Sequence, residues 1–157
     1  FSPLSTVFHF KDLVTWKKQR GIGVRRGWLY TREEIMWFVK DNKQFTWNTK
    51  HQYSDEINSF SVGSTGYKCK SVHKRLSNVW SDVPELFGRK KLHVAQKPIK
   101  ALKRIIQAHR VTEEYTILDP FMGSGTTIKA AQELGCSSIG IDVDLNLSVF
   151  DLRSKRP

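Results

Sequence analysis

The residues with the most specific chemistry lie between Thr116 and Thr127, where an apolar run ends at Asp119 and a Gly-Ser-Gly turn follows. A strand in this position delivers its acid to the edge of a sheet. The glycines let the backbone approach a ligand at a helix N-terminus, where N–H groups lack intrahelical partners. A Walker-type phosphate cradle needs a lysine after the turn, and a dinucleotide fingerprint needs a third glycine, but Ile128 and Lys129 come next. The pattern predicts a cofactor pocket for a ligand without a phosphate chain.

The elements that must position this turn form a predicted βαβ unit. Apolar residues at helical spacing predict a helix from Thr127 to Leu134, with Gly135 as its C-cap, and residues 138–142 predict a second buried strand that ends at Asp142. An acid about 20 residues past the turn can accept hydrogen bonds from both ribose hydroxyls. The alternative is a generic α/β turn with a surface aspartate, but an acid on each strand tip favours the pocket.

Several segments resemble one enzyme family. Residues 119–127 resemble the cofactor motif of the S-adenosylmethionine-dependent DNA amino-methyltransferases, which methylate N6 of adenine or N4 of cytosine. Residues 93–98 (His-Val-Ala-Gln-Lys-Pro), followed by a helix with Leu102, Ile105 and Ile106 inward, resemble the family's His-x-x-Gln-Lys-Pro element. Residues 13–17, 33–40 and 78–80 resemble its late strands. The resemblance implies an α/β, Rossmann-like methyltransferase fold that is incomplete in this chain.

The resemblance also implies roles for individual residues. It assigns Asp119 and the turn backbone to the methionine portion of the cofactor, Asp142 to the ribose hydroxyls, and Gln96 to Pro98 to the wall near the cofactor carboxylate. Many relatives carry glutamate at the second acid, and Asp144 would face the same side of an extended strand as Asp142, so both acids remain candidates for the ribose. Lys97 has the alternative role of a solvent-facing lysine at a helix start. The expected cofactor residues are Gln96, Lys97, Pro98, Asp119, Pro120, Phe121, Gly123, Ser124, Gly125, Thr126, Thr127 and Asp142.

The family's catalytic motif, Asp/Asn/Ser-Pro-Pro-Tyr/Phe, does not occur in the 157 residues. In this arrangement it would precede Phe1, so the catalytic residues stay unassigned, and we expect a C-terminal portion of a longer enzyme or a processed or cropped product. In the family sheet, the motif strand and one more lie between the strand of Asp119 and the late hairpin. Either a complementary segment or partner chain supplies these strands, or the hairpin closes directly on the cofactor unit.

Charge is distributed unevenly along the chain, whose net charge is +11. Residues 1–110 hold 22 of the 26 Lys and Arg residues and 8 of the 15 Asp and Glu residues, and residues 111–157 hold the remaining 4 and 7. A basic body joined to an acidic cofactor end is typical of an enzyme that holds a small zwitterion and a polyanion, here double-stranded DNA.

Two segments mix basic side chains with glycines and aromatics. Residues 17–28 predict a loop near phosphates between two strands, and residues 59–75 lie where the family places its variable target-recognition region. The expected DNA-binding residues are Lys17, Lys18, Arg20, Arg25, Arg26, Lys68, Lys70, Lys74 and Arg75. The tryptophans Trp28, Trp37, Trp47 and Trp80 are expected to pack in the core or against strands instead of stacking on bases.

The remaining composition predicts one globular unit with three parts: late strands and a basic loop in residues 1–50, a variable region in 51–92, and the cofactor unit in 93–157. Two cysteines imply no disulfide framework, and Cys69 with His73 is too small a set for a structural metal site. No apolar span of membrane length and no signal peptide is visible, so we expect a cytoplasmic protein of a bacterium or phage.

Three classes of function fit these features. The first is the cofactor-binding and DNA-contacting part of a DNA amino-methyltransferase, inactive until the missing motif is supplied. The second is a non-catalytic DNA-binding or regulatory subunit that is a relic of such an enzyme. The third is a methyltransferase that acts on RNA or another substrate.

Overall fold

The computed structural model describes residues 3–23, 25–57, 72–86, 96–109 and 115–143. Strands β1 (His9–Ile22) and β2 (Tyr30–Val39) form an antiparallel hairpin, and β5 (Val79–Trp80) lies parallel to β1 on its other side. Strands β3 (Tyr53–Ile57) and β4 (His73–Arg75) pair with each other. The cofactor unit consists of α1 (Ile99–His109), β6 (Thr116–Asp119), α2 (Thr126–Glu133) and β7 (Ser137–Gly140), with β6 and β7 parallel. Short 3-10 turns cover Pro3–Thr6 and Thr49–His51.

The core consists of two clusters, one on each side of α1. Ala101 and Ile105 of α1 pack against Trp16 and Trp80, while Ile106 on another face of the helix packs against α2. The inward positions predicted for this helix are confirmed. The first cluster combines Trp16, Trp80 and Ala101, one from each of the three predicted parts of the chain, and that division stays a prediction.

Strand β6 pairs with β7, and neither of them joins the β2–β1–β5 sheet within the described residues. A cavity of about 340 Å³ lies between the end of β2 and the start of β6, lined by Trp37, Val39, Thr116 and Ile117 among others. Within the described residues, the hairpin therefore does not close directly on the cofactor unit, which is one of the two arrangements considered from the sequence. Across this cavity, the end of β2 and the start of β6 share no ladder hydrogen bonds.

An ion-pair cluster ties α1 to the segment that follows β5. Arg104 donates to both carboxylate oxygens of Asp82, Lys100 lies 3.1 Å from Asp82 Oδ2, and the Arg104 guanidinium lies 5.0 Å from the centroid of the Trp80 ring. The hydrogen bond from Arg104 is the main reason that the pKa of Asp82 is held well below its usual range. The cluster keeps the start of α1 against the hairpin sheet.

This cluster predicts a pH dependence of stability. A carboxyl whose pKa is lowered by folding stabilises the native state above its unfolded pKa, about 3.9, and loses that contribution as the pH falls below it. Asp82→Asn should therefore lower the urea midpoint at pH 6, and the difference from the wild type should shrink between pH 5 and pH 3. An equal difference at both ends of this range would contradict a role for the ionised carboxylate.

Candidate cofactor site

The glycine turn follows β6 as the sequence predicts. Asp119 Oδ1 accepts the N–H of Phe121 at 3.1 Å, and Gly125 donates its N–H to the Met122 carbonyl at 2.8 Å. Gly123 and Gly125 have φ angles of +47° and +71°, in the left-handed region that favours glycine. A Cβ on Gly123 would meet nothing within 4 Å. The backbone conformation, and not crowding, therefore requires glycine here, and the space in front of Gly123 is open.

The end of β7 holds this turn in place. Ile141 donates its N–H to the Asp119 carbonyl at 2.8 Å, and its own carbonyl accepts the N–H of Met122 at 2.9 Å. One residue further, Asp142 Oδ2 accepts the N–H of Gly123 at 2.7 Å. The two predicted acids therefore lie on either side of the same turn, and each of them accepts a backbone N–H from it. Asp144, the other candidate for the ribose, lies outside the described residues.

Helix α2 begins directly after the turn. Its N-cap, Gly125, makes no side-chain hydrogen bond, and the first turn of the helix contains no acid. Ser124 and Thr126 are only 5% and 6% exposed, and their hydroxyls lie 3.1 Å apart. These two side chains support the turn from inside, and the first backbone N–H groups of the helix, which lack intrahelical partners, lie at its positive end.

One strand residue that the sequence did not assign to the site, Gly140 of β7, shapes the turn from below. A Cβ on Gly140 would overlap Met122 Sδ and would lie 3.0 Å from two side-chain carbons of Ile128. Gly140 thus permits β7 to pass directly beneath Met122. A glycine inside an apolar strand pattern is a signal of such close backbone approach, and it could have identified this position.

The element that precedes α1 has a different arrangement. Pro98 is buried and Gln96 is partly buried, whereas the Lys97 side chain is half-exposed and its Nζ lies 2.6 Å from Glu33 Oε2. Lys18 Nζ lies 2.8 Å from the other oxygen of Glu33. Lys97 therefore pairs with the hairpin, while its expected place near a cofactor carboxylate stays a prediction.

Glu33 is the centre of this pair of contacts and was not identified from the sequence. Burial alone would raise the pKa of Glu33, but the hydrogen bonds from Lys18 and Lys97 outweigh burial and lower it. The hydrogen bond to Glu33 correspondingly raises the pKa of Lys18. The carboxylate is ionised at neutral pH and links β1, β2 and the start of α1. The sequence signal for Glu33 is that it is an acidic residue in a part of the chain that is mostly basic.

Part of the predicted basic loop is a strand. Strand β1 continues to Ile22, which pairs with Tyr30, so Lys17, Lys18 and Arg20 lie on β1 and not in a loop. The prediction was wrong because pairing with β2 overrides the loop tendency of the glycines and charges. The connection between the strands is shorter than expected, and the DNA-binding role of these residues stays a prediction.

The remaining basic residues fall into three groups. Arg25 and Arg26 are exposed in the connection between β1 and β2, and Lys74 and Arg75 are exposed on β4. Lys68 and Lys70 lie outside the described residues.

The described residues contain no cluster of three potential metal ligands, and no described helix is long and apolar enough to cross a membrane.

The accessible groups of the site have complementary chemistries. The carboxylates of Asp119 and Asp142 are partly buried, the ring of Phe121 is 88% exposed, and the helix N-terminus presents N–H donors. Carboxylates bind ammonium groups and ribose hydroxyls, N–H donors bind a carboxylate, and a ring packs against an apolar ligand surface. The turn itself carries no basic side chain, so it is better suited to a nucleoside with an amino-acid end than to a polyphosphate.

Comparisons with known proteins identify the family of the chain. The model of the N6/N4 DNA methylase family matches residues 4–148. The type II methyltransferase M.HpaI of Haemophilus parainfluenzae is 32% identical over 143 residues, which are 87% of this chain and 42% of that protein. M.HindIII of Haemophilus influenzae is 32% identical over 161 residues, covering 86% of this chain and 51% of that protein.

Solved structures show the same fold. The complex of M1.HpyAVI with S-adenosylmethionine superposes with a TM-score of 0.63 and 25% identity, covering 90% of this chain and 60% of that one. The cytosine-N4-specific PvuII DNA methyltransferase has a TM-score of 0.62 at 15% identity, covering 87% and 48%, and supports the fold alone.

The chain belongs to the N6/N4 DNA methylase family, and the predicted Rossmann-like methyltransferase fold is confirmed. It spans about half the length of the curated relatives it matches.

The contact between β7 and the turn yields a testable prediction. Gly140→Ala should displace Met122 and Ile128, because an added Cβ needs their space, and should cost about 1–3 kcal/mol of unfolding free energy, as overpacking does. The matched control is Gly23→Ala, since a Cβ there would lie 3.9 Å from the nearest atom, Leu29 Cδ1. Urea unfolding measures both variants, and equal stability of the two would contradict the close approach.

Proposed function

We propose that this chain binds S-adenosylmethionine and serves in methyl transfer to the exocyclic amine of adenine (N6) or cytosine (N4) in double-stranded DNA. The observation that carries the proposal is the glycine turn enclosed by Asp119 and Asp142 at the start of α2. A complementary segment or partner chain would supply the Asp/Asn/Ser-Pro-Pro-Tyr/Phe motif. A cytoplasmic location, where bacterial DNA is accessible, belongs to the same proposal.

The residues present fit this cofactor. S-Adenosylmethionine carries an ammonium group, a carboxylate, two ribose hydroxyls and an adenine ring, and no phosphate. The site has two carboxylates, a helix N-terminus and the exposed ring of Phe121, and its turn leaves open space at Gly123. Asp119 would bind at the methionine end and Asp142 at the ribose, while the turn backbone would face the carboxylate.

The proposed reaction needs one contribution from this chain and another from the complementary segment or partner chain. When bound, the cofactor would supply a sulfonium methyl group: its C–S bond would break as the new N–C bond forms, a neutral thioether would leave, and one proton of the amine would pass to a hydrogen-bond acceptor. An exocyclic amine is a poor nucleophile because its lone pair is conjugated with the base, so the base must leave the stack and its amine must be held by hydrogen-bond acceptors. Those acceptors belong to the motif that this chain lacks. Its own residues orient the methyl donor and hold the DNA backbone.

The open edges of the two sheets support the need for a complementary segment. Strand β2 and strand β6 face each other across the cavity of about 340 Å³, and on β6 and β7 the paired residues Leu118 and Ile139 are 60% and 54% exposed. Parallel sheets are normally covered on both faces and leave few unpaired edges. A complementary segment would pair with the free edges of β2 and β6 and cover Leu118 and Ile139.

Removal of the first acid tests the cofactor assignment. Asp119→Ala should weaken S-adenosylmethionine binding about 10-fold or more, because a hydrogen bond to a charged group contributes about 1.5–3 kcal/mol. Isothermal titration calorimetry measures the dissociation constant.

The matched control for this variant is Asp41→Ala. Asp41 also accepts backbone N–H groups in a turn, from Lys43 and Gln44, but it follows β2 and not the cofactor strand. Its replacement removes the same charge and should leave the affinity unchanged. Unchanged affinity in Asp119→Ala itself would show that the assignment of the pocket is wrong.

Substitutions at two adjacent residues of β6 test whether the face of the sheet that carries Leu118 is uncovered. Ile117 packs against the cluster of Ile106 and Ala131, whereas Leu118 points to the other face and is largely exposed. Ile117→Ser should therefore lower the unfolding free energy by about 2–4 kcal/mol, and Leu118→Ser by less than about 0.5 kcal/mol. Leu118→Ser should also reduce concentration-dependent association in light scattering, because it removes exposed apolar surface. A large destabilisation by Leu118→Ser would mean that the chain covers this face by itself.

A further inference from the structure

Trp28 is 95% exposed, although its sequence position suggested packing in the core or against a strand. The indole therefore packs neither in the core nor against a strand, and the prediction for Trp28 was wrong. Leu29 lies so close to Gly21 that a Cβ there would overlap its side chain, and it is 3.9 Å from the Cβ position of Gly23. Gly21 of β1 thus leaves room for the Leu29 side chain, which is itself 58% exposed, and the indole beside it stays in solvent.

The residues before Trp28 give this exposed ring a charged setting. Arg25 and Arg26 are exposed and make no hydrogen bond or ion pair with any residue that the structure describes. Gly27 has a φ of +128°, a conformation that residues with a Cβ rarely adopt, so the backbone bends immediately before the tryptophan. Exposed indole area is costly in water. The tip of the hairpin therefore combines a planar apolar surface with two available guanidinium groups.

The tip belongs to the half of the hairpin that contacts the start of α1. Glu33, near the beginning of β2, binds Lys97 just before α1. At the other end of α1, His109 and Tyr115 both contact Thr46, so β6 begins near the base of the hairpin. The glycine turn follows at the opposite end of β6. The glycine turn therefore lies at the end of β6 that is remote from Thr46. The tip likewise lies at the end of the β1–β2 hairpin that is remote from Thr46.

We propose that Trp28 stacks on a base of duplex DNA where the stack has been opened, with Arg25 and Arg26 on the flanking phosphates. The inference rests on DNA being the substrate. Extrusion of a target base leaves a gap between its neighbours, and an apolar or aromatic wedge can fill such a gap and hold it open. The flanking positive charges select a polyanion over an apolar protein surface, and base stacking on an aromatic side chain tolerates any sequence.

Binding to two duplexes separates stacking from charge. Fluorescence anisotropy with a labelled intact duplex and the same duplex with one abasic site should show that the wild-type chain prefers the abasic duplex. Trp28→Ala should weaken binding to the abasic duplex by about 5-fold to 100-fold, the range of a lost stacking contact, with an unchanged salt slope. Trp28→Phe should retain most of the preference. Arg25→Ala should weaken both duplexes alike and reduce the salt slope by about 1.

Val7→Ala is the control, because Val7 is 67% exposed but lies before the start of β1, at the other end of the hairpin. It should bind both duplexes as the wild type does, and urea unfolding should show equal stability for it and Trp28→Ala. Salt-dependent binding with no effect of Trp28→Ala on either duplex would overturn the stacking role and leave the proposed function intact. Absence of any duplex binding by the wild type would overturn both.

Discussion

Helix α1 holds together two sheet fragments that share no backbone hydrogen bond among the described residues. Ala101 on one side of the helix packs with Trp16 and Val83, and Ile106 packs with Ala130 and Ala131 of α2. The segment after β2 adds polar contacts at the far end, since Asn48 donates its N–H to the Ala108 carbonyl at 2.7 Å. The position of the cofactor turn relative to the hairpin therefore depends on side-chain packing around one helix.

This dependence on one helix explains why the glycine turn is fully hydrogen-bonded while the two sheets keep unpaired edges. The turn is local: its acids, glycines and the end of β7 are connected by short hydrogen bonds that need no other part of the sheet. The sheet is not local, because a parallel strand obtains its pairing and its second covered face from distant segments. The hydrogen bonds of the turn are thus complete although Leu118 and Ile139 stay exposed.

The difference between local and long-range contacts also explains which features could be predicted from the sequence. The strand before Asp119, helix α1 with its inward residues, and Gly135 with its φ of +69° after α2 follow from local patterns, and the structure has all of them. Contacts between distant segments could not be predicted. The pairing of Lys97 with Glu33 joins positions 64 residues apart, and the extension of β1 through Lys17 and Lys18 depends on β2.

The most direct test of the account is calorimetric titration of the chain with S-adenosylmethionine, with NAD and ATP as controls. We expect one-site binding of S-adenosylmethionine and no binding of the two controls, because the turn offers carboxylates and a helix N-terminus but no basic side chain for phosphates. Preferential binding of NAD or ATP, or no binding of S-adenosylmethionine by a folded, monodisperse sample, would contradict the assignment of the pocket.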